Sequence, residues 1–69
     1  MEVYTIAEDE YIMTDKPIKI SSPRGFTHVA KAETIDGHPA FICWKVPEGK
    51  NIEDVNPCYA ELDTDYLND

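Results

Sequence analysis

Two histidines and two cysteines, His28, His38, Cys43 and Cys58, are the side chains of this sequence best suited to hold a metal or attack a substrate. Zinc sites draw on such ligands at short repeated spacings, and none of these four stands in a C-x-x-C or H-x-x-x-H arrangement. Cys58 follows Asn56-Pro57, a pair that favours a helix start, and a thiol in a first helical turn is acidified by the dipole. The neighbouring Glu53, Asp54, Glu61 and Asp63 oppose that shift, and no histidine is close in sequence. Ser21 and Ser22 precede Pro23 in a turn and lack the strand-elbow-helix setting of a nucleophilic serine. The tail from Asp63 to Asp69 begins as a calcium loop does, but Leu67 occupies the third ligand position, and the glycine and distal glutamate are missing. A chain this short also leaves little volume for a concave site on the ~300 Å³ scale. The sequence therefore predicts no enzyme, no catalytic residue, no metal ligand and no cofactor.

What remains are the acids. The formal charge is −8, and it is unevenly spread: residues 1–15 carry −5 with no base, residues 16–50 carry +3, and residues 51–69 carry −6 with no base. On a strand, residues i and i+2 lie ~6.8 Å apart on one face; on a helix, i and i+4 lie ~6 Å apart. Both are close to the spacing of successive phosphates along a nucleic-acid strand. Glu61, Asp63 and Asp65 meet the first spacing if the tail is extended, and Glu61, Asp65 and Asp69 meet the second if it is helical. With Glu8, Asp9, Glu10, Glu53 and Asp54, these residues are the expected partner-binding set.

Such a balance repels phosphate backbones and anionic membranes, so the expected partner is a basic protein surface, with no direct nucleic acid and no membrane. In size and charge, though in no motif, the chain resembles small inhibitors of phages and mobile elements, including some anti-CRISPR proteins. That resemblance implies a non-enzymatic module that mimics nucleic acid and occupies a basic nucleic-acid-binding groove. The alternatives are a structural or assembly subunit of a phage or larger complex, and an antitoxin-like partner protein. The plain alternative for the acids is a solvated face and a frayed tail that keep the protein soluble. With no basic n-region, no signal-like apolar run and no segment of membrane-span length, the expected location is the cytoplasm. Two cysteines are too few for a secreted disulfide framework, so free thiols are expected, with one Cys43–Cys58 bridge as the alternative.

Behind the charges must stand a scaffold, and residues 26–46, FTHVAKAETIDGHPAFICWKV, read as its centre: two strands joined by a turn. A two-residue Asp36-Gly37 turn would mix apolar and charged side chains on both faces. A three-residue Ile35-Asp36-Gly37 loop, with Gly37 in a left-handed bulge, segregates them better. It pairs Thr34 with His38 and gathers Phe26, His28, Ala30, Ala32, Ala40, Ile42, Trp44 and Val46 on one face. It also sets Pro39 opposite Glu33 in a pair that needs no proline donor. A one-residue slip would flip every side chain, so this register is the expectation.

Val3 to Ile6 reads as a first strand that Glu8-Asp9-Glu10 interrupts; the competing reading is a capping box of Thr5 and Glu8 opening a short helix through Tyr11, Ile12 and Met13, and 8–14 stay unassigned. Lys16 to Ser21 reads as a strand beginning at Pro17, followed by a turn at Ser21–Gly25. Ile52 to Val55 suits a single helical turn. From Pro57 a helix would place Tyr59, Leu62 and Tyr66 on one side, although Asp63, Asp65 and Asp69 would oppose its dipole, and CYAEL as a strand is the rival. The prediction is one domain, 1–69, of α+β class: a small antiparallel β-sheet of 3–4 strands centred on the 26–46 hairpin, with a short C-terminal helix. Its expected core is Val3, Ile6, Ile18, Ile20, Phe26, Ala30, Ile42, Trp44, Val46 and Leu62. A domain this small buries a smaller share of its surface than a typical one does, which makes a homodimer a further expectation.

Overall fold

The computed structural model describes residues 3–63. Six antiparallel strands form one curled, half-barrel sheet: β1 (Val3–Ile6), β2 (Asp9–Met13), β3 (Ile18–Lys19), β4 (His28–Thr34), β5 (Pro39–Trp44) and β6 (Tyr59–Leu62). The path runs β1-β2-β4-β5-β6, and β3 pairs with the same edge of β4 as β2 does. β2 and β3 are in effect one interrupted strand: the N–H groups of Thr14 and Asp15 both point to the Lys31 carbonyl, and the chain arches out before Ile18 meets Val29. Pro17, which has no N–H to give a ladder, sits in that arch immediately before β3, as its chemistry requires.

The α+β expectation is overturned. Among the described residues the only helical element is a 3-10 turn, Ile52–Asp54. Where a C-terminal helix was expected, Tyr59–Leu62 is a strand that pairs Cys43 with Tyr59, Ile42 with Ala60 and Ala40 with Leu62. The physical reason is competition. A lone short helix is marginal in water and here would end in carboxylates that oppose its dipole. The extended chain instead satisfies the open edge of β5: the Cys58 N–H donates to the Cys43 carbonyl and the Asp63 N–H to the Pro39 carbonyl. Asn56-Pro57 therefore does not cap a helix; Pro57 is buried against the sheet as the chain turns back.

The hairpin register matches the three-residue loop. Thr34 donates its N–H to the His38 carbonyl at 2.9 Å, Gly37 has φ +89°, and Glu33 faces Pro39. The inner face carries Ala30, Ala32, Ala40, Ile42 and Trp44, all buried. Beside them Tyr11, paired with Tyr4 and Thr34, completes a core that also contains Ile6. Small alanines at the centre let the sheet bend until Tyr4 meets Trp44 edge to face, with ring centroids 6.1 Å apart. Across a flat sheet their strands would be separated by about 14 Å, three strand spacings.

Several expected core residues lie elsewhere. Ile18 is 61% exposed because it pairs with Val29, whose side chain alternates away from Ala30 onto the outer face. Val3 and Leu62 lie on the edge strands and are largely exposed. Phe26 crosses to the outer face because Thr27 also donates to the Trp44 carbonyl, although His28 already opposes Trp44. Two residues thus face one, which is a bulge, and the alternation shifts by one. The Thr27 hydroxyl secures it, donating to the Trp44 carbonyl and accepting the Val46 N–H.

The β1–β2 connection is a two-residue turn through Ala7 and Glu8, with φ of 51° and 72°. Such a turn normally takes Asn-Gly, because side chains carrying a Cβ disfavour positive φ by about 1–2 kcal/mol each. Replacing Ala7→Asn and Glu8→Gly together should raise the unfolding free energy by about 1–2 kcal/mol, measured as a higher urea midpoint at unchanged slope.

Candidate functional site

In a meander each strand reverses the last, so turns that are distant in sequence meet at one end. The β1–β2 turn, the β4–β5 loop and the end of β6 lie together at what we call the upper end. There Glu8, Asp9, Glu10, Tyr11, Thr34, Ile35, Asp36, His38 and Leu62 line one cleft of about 430 Å³. Asp36 belongs to the net-basic stretch of the sequence, yet the fold delivers it to the N-terminal acids. Asp63, one residue past Leu62 and bonded to Pro39, reaches the same end.

The other expected partner-binding residues are dispersed. Glu53 and Asp54 occupy the 3-10 turn within the connection between β5 and β6, at the lower end. Glu61 projects from the outer face of β6, where its carboxylate accepts hydrogen bonds from Arg24 at 3.4 Å and Tyr59 at 2.9 Å. That pairing ties part of its charge to a local cation. Asp65 and Asp69 lie outside the described residues.

The outer face has its own arrangement. Phe26 stacks on Tyr59 with centroids 5.4 Å apart, and Arg24 lies 4.8 Å from the Tyr59 ring and 5.3 Å from that of Phe26. Lys45 approaches Phe26 at 5.3 Å. Each contact is an attraction of a cation to the negative face of a ring. Sequence reading missed this cluster because it depends on the Thr27 bulge and on β6 being a strand, neither of which leaves a period in the sequence.

On the inner side, the lower mouth of the half-barrel forms a cleft of about 790 Å³ between Trp44, Tyr4 and Met13 and the loop residues Ile52 and Val55, with Lys16, Lys19, His28 and Glu53 among its lining. Clefts of this size exceed what the chain length suggested; curling a single sheet creates concavity without a second layer. His28 is half-buried and its Nδ1 lies 2.8 Å from the Thr27 hydroxyl, the setting of a hydrogen-bonded structural histidine. His38 is exposed beside the hairpin loop, where its N–H meets the Thr34 hydroxyl.

Among the described residues, no group of three or more His, Cys, Asp or Glu side chains is arranged to hold a metal ion. No helix among them is long and apolar enough to cross a membrane. Comparison of the chain with protein-family models, with curated proteins and with solved structures finds no match.

Cys43 and Cys58 are both free, one buried and one exposed. Burial, the largest cause, pushes the Cys43 thiol up; Arg24 pulls against it, and Cys58 and Glu61 add lesser upward pushes. Cys58 precedes a strand, so no helix dipole activates it. Tyr11 is likewise pushed up, mainly by burial and secondarily by Asp9. Both folded groups hold their protons more tightly than the unfolded chain does. Their contribution to stability is therefore complete at neutral pH and is lost as pH rises beyond the ordinary thiol and phenol values of about 8.5 and 10. We expect the thermal midpoint to be flat around neutrality and to fall with alkalinity, less steeply in Tyr11→Phe. Iodoacetamide should label one thiol per native chain, Cys58, and both in urea.

Proposed function

We propose that this chain is a non-enzymatic, intracellular protein-binding module that presents its acidic upper end to a basic surface, most concretely the nucleic-acid-binding groove of a target protein. The observation that carries this reading is the convergence of Glu8, Asp9, Glu10 and Asp36 on one cleft at the meeting point of two hairpin turns. Asp9 and Glu10 stand on β2, and Glu8 and Asp36 on the turns that join paired strands, so the backbone brings the four acids together before any partner arrives. Prepositioned acids lose little freedom on binding and repel nucleic acid, the ligand they would displace. Asp63 extends the same end, and Asp65 and Asp69 follow it in sequence.

A second reading, an assembly subunit, is favoured by apolar side chains on the outer face, of which Ile18 is 61% exposed. Association through that face alone would change little with salt. The two readings therefore separate on ionic strength.

Protein immobilised through its C-terminus should capture a nucleic-acid-binding protein from its native cell lysate at about 50 mM salt and release it by about 500 mM, where the Debye length falls from over 10 Å to about 4 Å. The purified target should bind its DNA or RNA more weakly when this protein is added. Charge reversal by Asp9→Lys, Glu10→Lys and Asp36→Lys should weaken that inhibition at least tenfold, as expected when several steering charges are reversed. Inhibition that survives both high salt and charge reversal would exclude an electrostatic mimic.

A further inference from the structure

The last strand joins the sheet through an irregularity that brings the two cysteines together. The ladder pairs Cys43 with Tyr59, and farther along the Asp63 N–H donates to the Pro39 carbonyl. Hydrogen-bonded pairs recur at every second residue of an antiparallel ladder, so the Tyr59 N–H also points at the Cys43 carbonyl. The Cys58 N–H donates to that same carbonyl at 2.9 Å. Cys58 and Tyr59 thus face Cys43 together, which is a bulge.

A bulge shifts the alternation of faces by one, and the exposure of the neighbouring residues records the shift. Cys43 lies between Ile42 and Trp44, both turned inward, and so points to the outer face with Tyr59. Strict alternation back from Tyr59 would turn Cys58 inward and Pro57 outward. Instead Pro57 is buried and Cys58 is exposed. Both thiols therefore stand on the outer face, across one strand gap.

The hydrogen bond also limits their separation. With about 2.4 Å from a Cα to its carbonyl oxygen and about 1.5 Å from an amide nitrogen to its Cα, the two Cα atoms lie at most about 6.8 Å apart. Disulfides span Cα separations of roughly 4.4–6.8 Å. Electrostatics give an independent sign of proximity: after burial, which raises the Cys43 thiol most, and Arg24, which lowers it, charge on Cys58 raises it further. The two thiols differ in access, since Cys58 is open to solvent and Cys43 is buried.

We propose that Cys43 and Cys58 form a cross-strand dithiol site that a low-molecular-weight disulfide, such as oxidised glutathione, converts to an intrachain bridge. The exposed Cys58 reacts first. Its thiolate, having lost its proton to solvent, attacks one sulfur of the small disulfide, which leaves a mixed disulfide on Cys58 and releases one small thiolate to be protonated by water. Cys43 then gives its proton to solvent and attacks the Cys58 Sγ, forming the Cys43–Cys58 bond and expelling the second small thiolate, which is protonated in turn. Two protein thiols are oxidised, and one small disulfide is reduced to two thiols. The bridge closes the connection between β5 and β6, whose Ile52, Glu53 and Val55 line the lower cleft, and it fastens the edge strand that carries Glu61. It does not rest on the function proposed above.

The full chain at about 10 µM, treated with excess oxidised glutathione, should end about 2 Da lighter and take no iodoacetamide label in urea. Cys43→Ala should stop at the mixed disulfide on Cys58. Cys58→Ser should react at least tenfold more slowly than the parent, because its remaining thiol is buried. Any two thiols of one chain can be joined once it unfolds, so the geometry is tested by stability. A bridge that fits the native fold constrains only the unfolded chain, and the bridged protein should therefore have a higher urea midpoint than the reduced one. A bridged chain with an equal or lower midpoint would overturn the inference. So would an end product in which Cys58 keeps its glutathione, or is joined to a second chain, while Cys43 still takes the label in urea, and so would a Cys58→Ser variant that reacts as fast as the parent.

Discussion

Trp44 and Ile42, almost wholly withdrawn from solvent, lie among Ala30, Ala32 and Ala40 on the inside of the bend, and the remaining structure depends on that packing. A tryptophan buries roughly 150–250 Å², worth about 4–6 kcal/mol as an upper estimate. That is much of what a domain of this size can command. The alanines make room for the ring and let the neighbouring strands approach. Tyr4 then closes against the indole edge, and Ile6 and Tyr11 fill the same concavity. With larger residues at the three alanine positions, the sheet would have to flatten and the indole would lose its walls.

Curvature of this kind decides where everything else goes. The loss of register between β2 and β3 lifts Lys16 and Pro17 out of the ladder. The bulge at Thr27 turns Phe26 from the core to the outer face. There it joins Tyr59 and two cations in a cluster that clamps the last strand. One hydroxyl, that of Thr27, ties the bulge to both Trp44 and Val46, so the packing of the core and the chemistry of the outer face share a single support.

Charge follows the same geometry. Along the chain the acids occupy the two ends and the bases the middle. In space Asp36 moves to the N-terminal acids, Glu61 is drawn to Arg24, and Glu53 and Asp54 are carried to the opposite end. A sum of charge by segment is therefore a poor map of the surface, because a meander interleaves the ends of distant strands.

The sequence by itself determined the central hairpin. Alternation in AKAETIDGHPAFICW, a glycine able to hold positive φ, and a proline tolerated at one site admit a single good register, and these are local constraints that survive in one dimension. It also determined the first strand, the turn at Ser21–Gly25 and the single helical turn near Ile52. Tertiary structure alone decided the rest. Tyr59–Leu62 is a strand because the edge of β5 offered partners that an isolated helix could not match. Ile18 lies outside because the ladder resumes opposite Val29 after the arch that follows β2, and Phe26 because of the bulge at Thr27; neither leaves a period in the sequence. The acids of the two hairpin turns form one surface because β1, β2, β4 and β5 reverse in sequence. Each of these outcomes hangs on hydrogen bonds and ring contacts between residues far apart in the chain, and no local pattern records which of two extended segments will find the other.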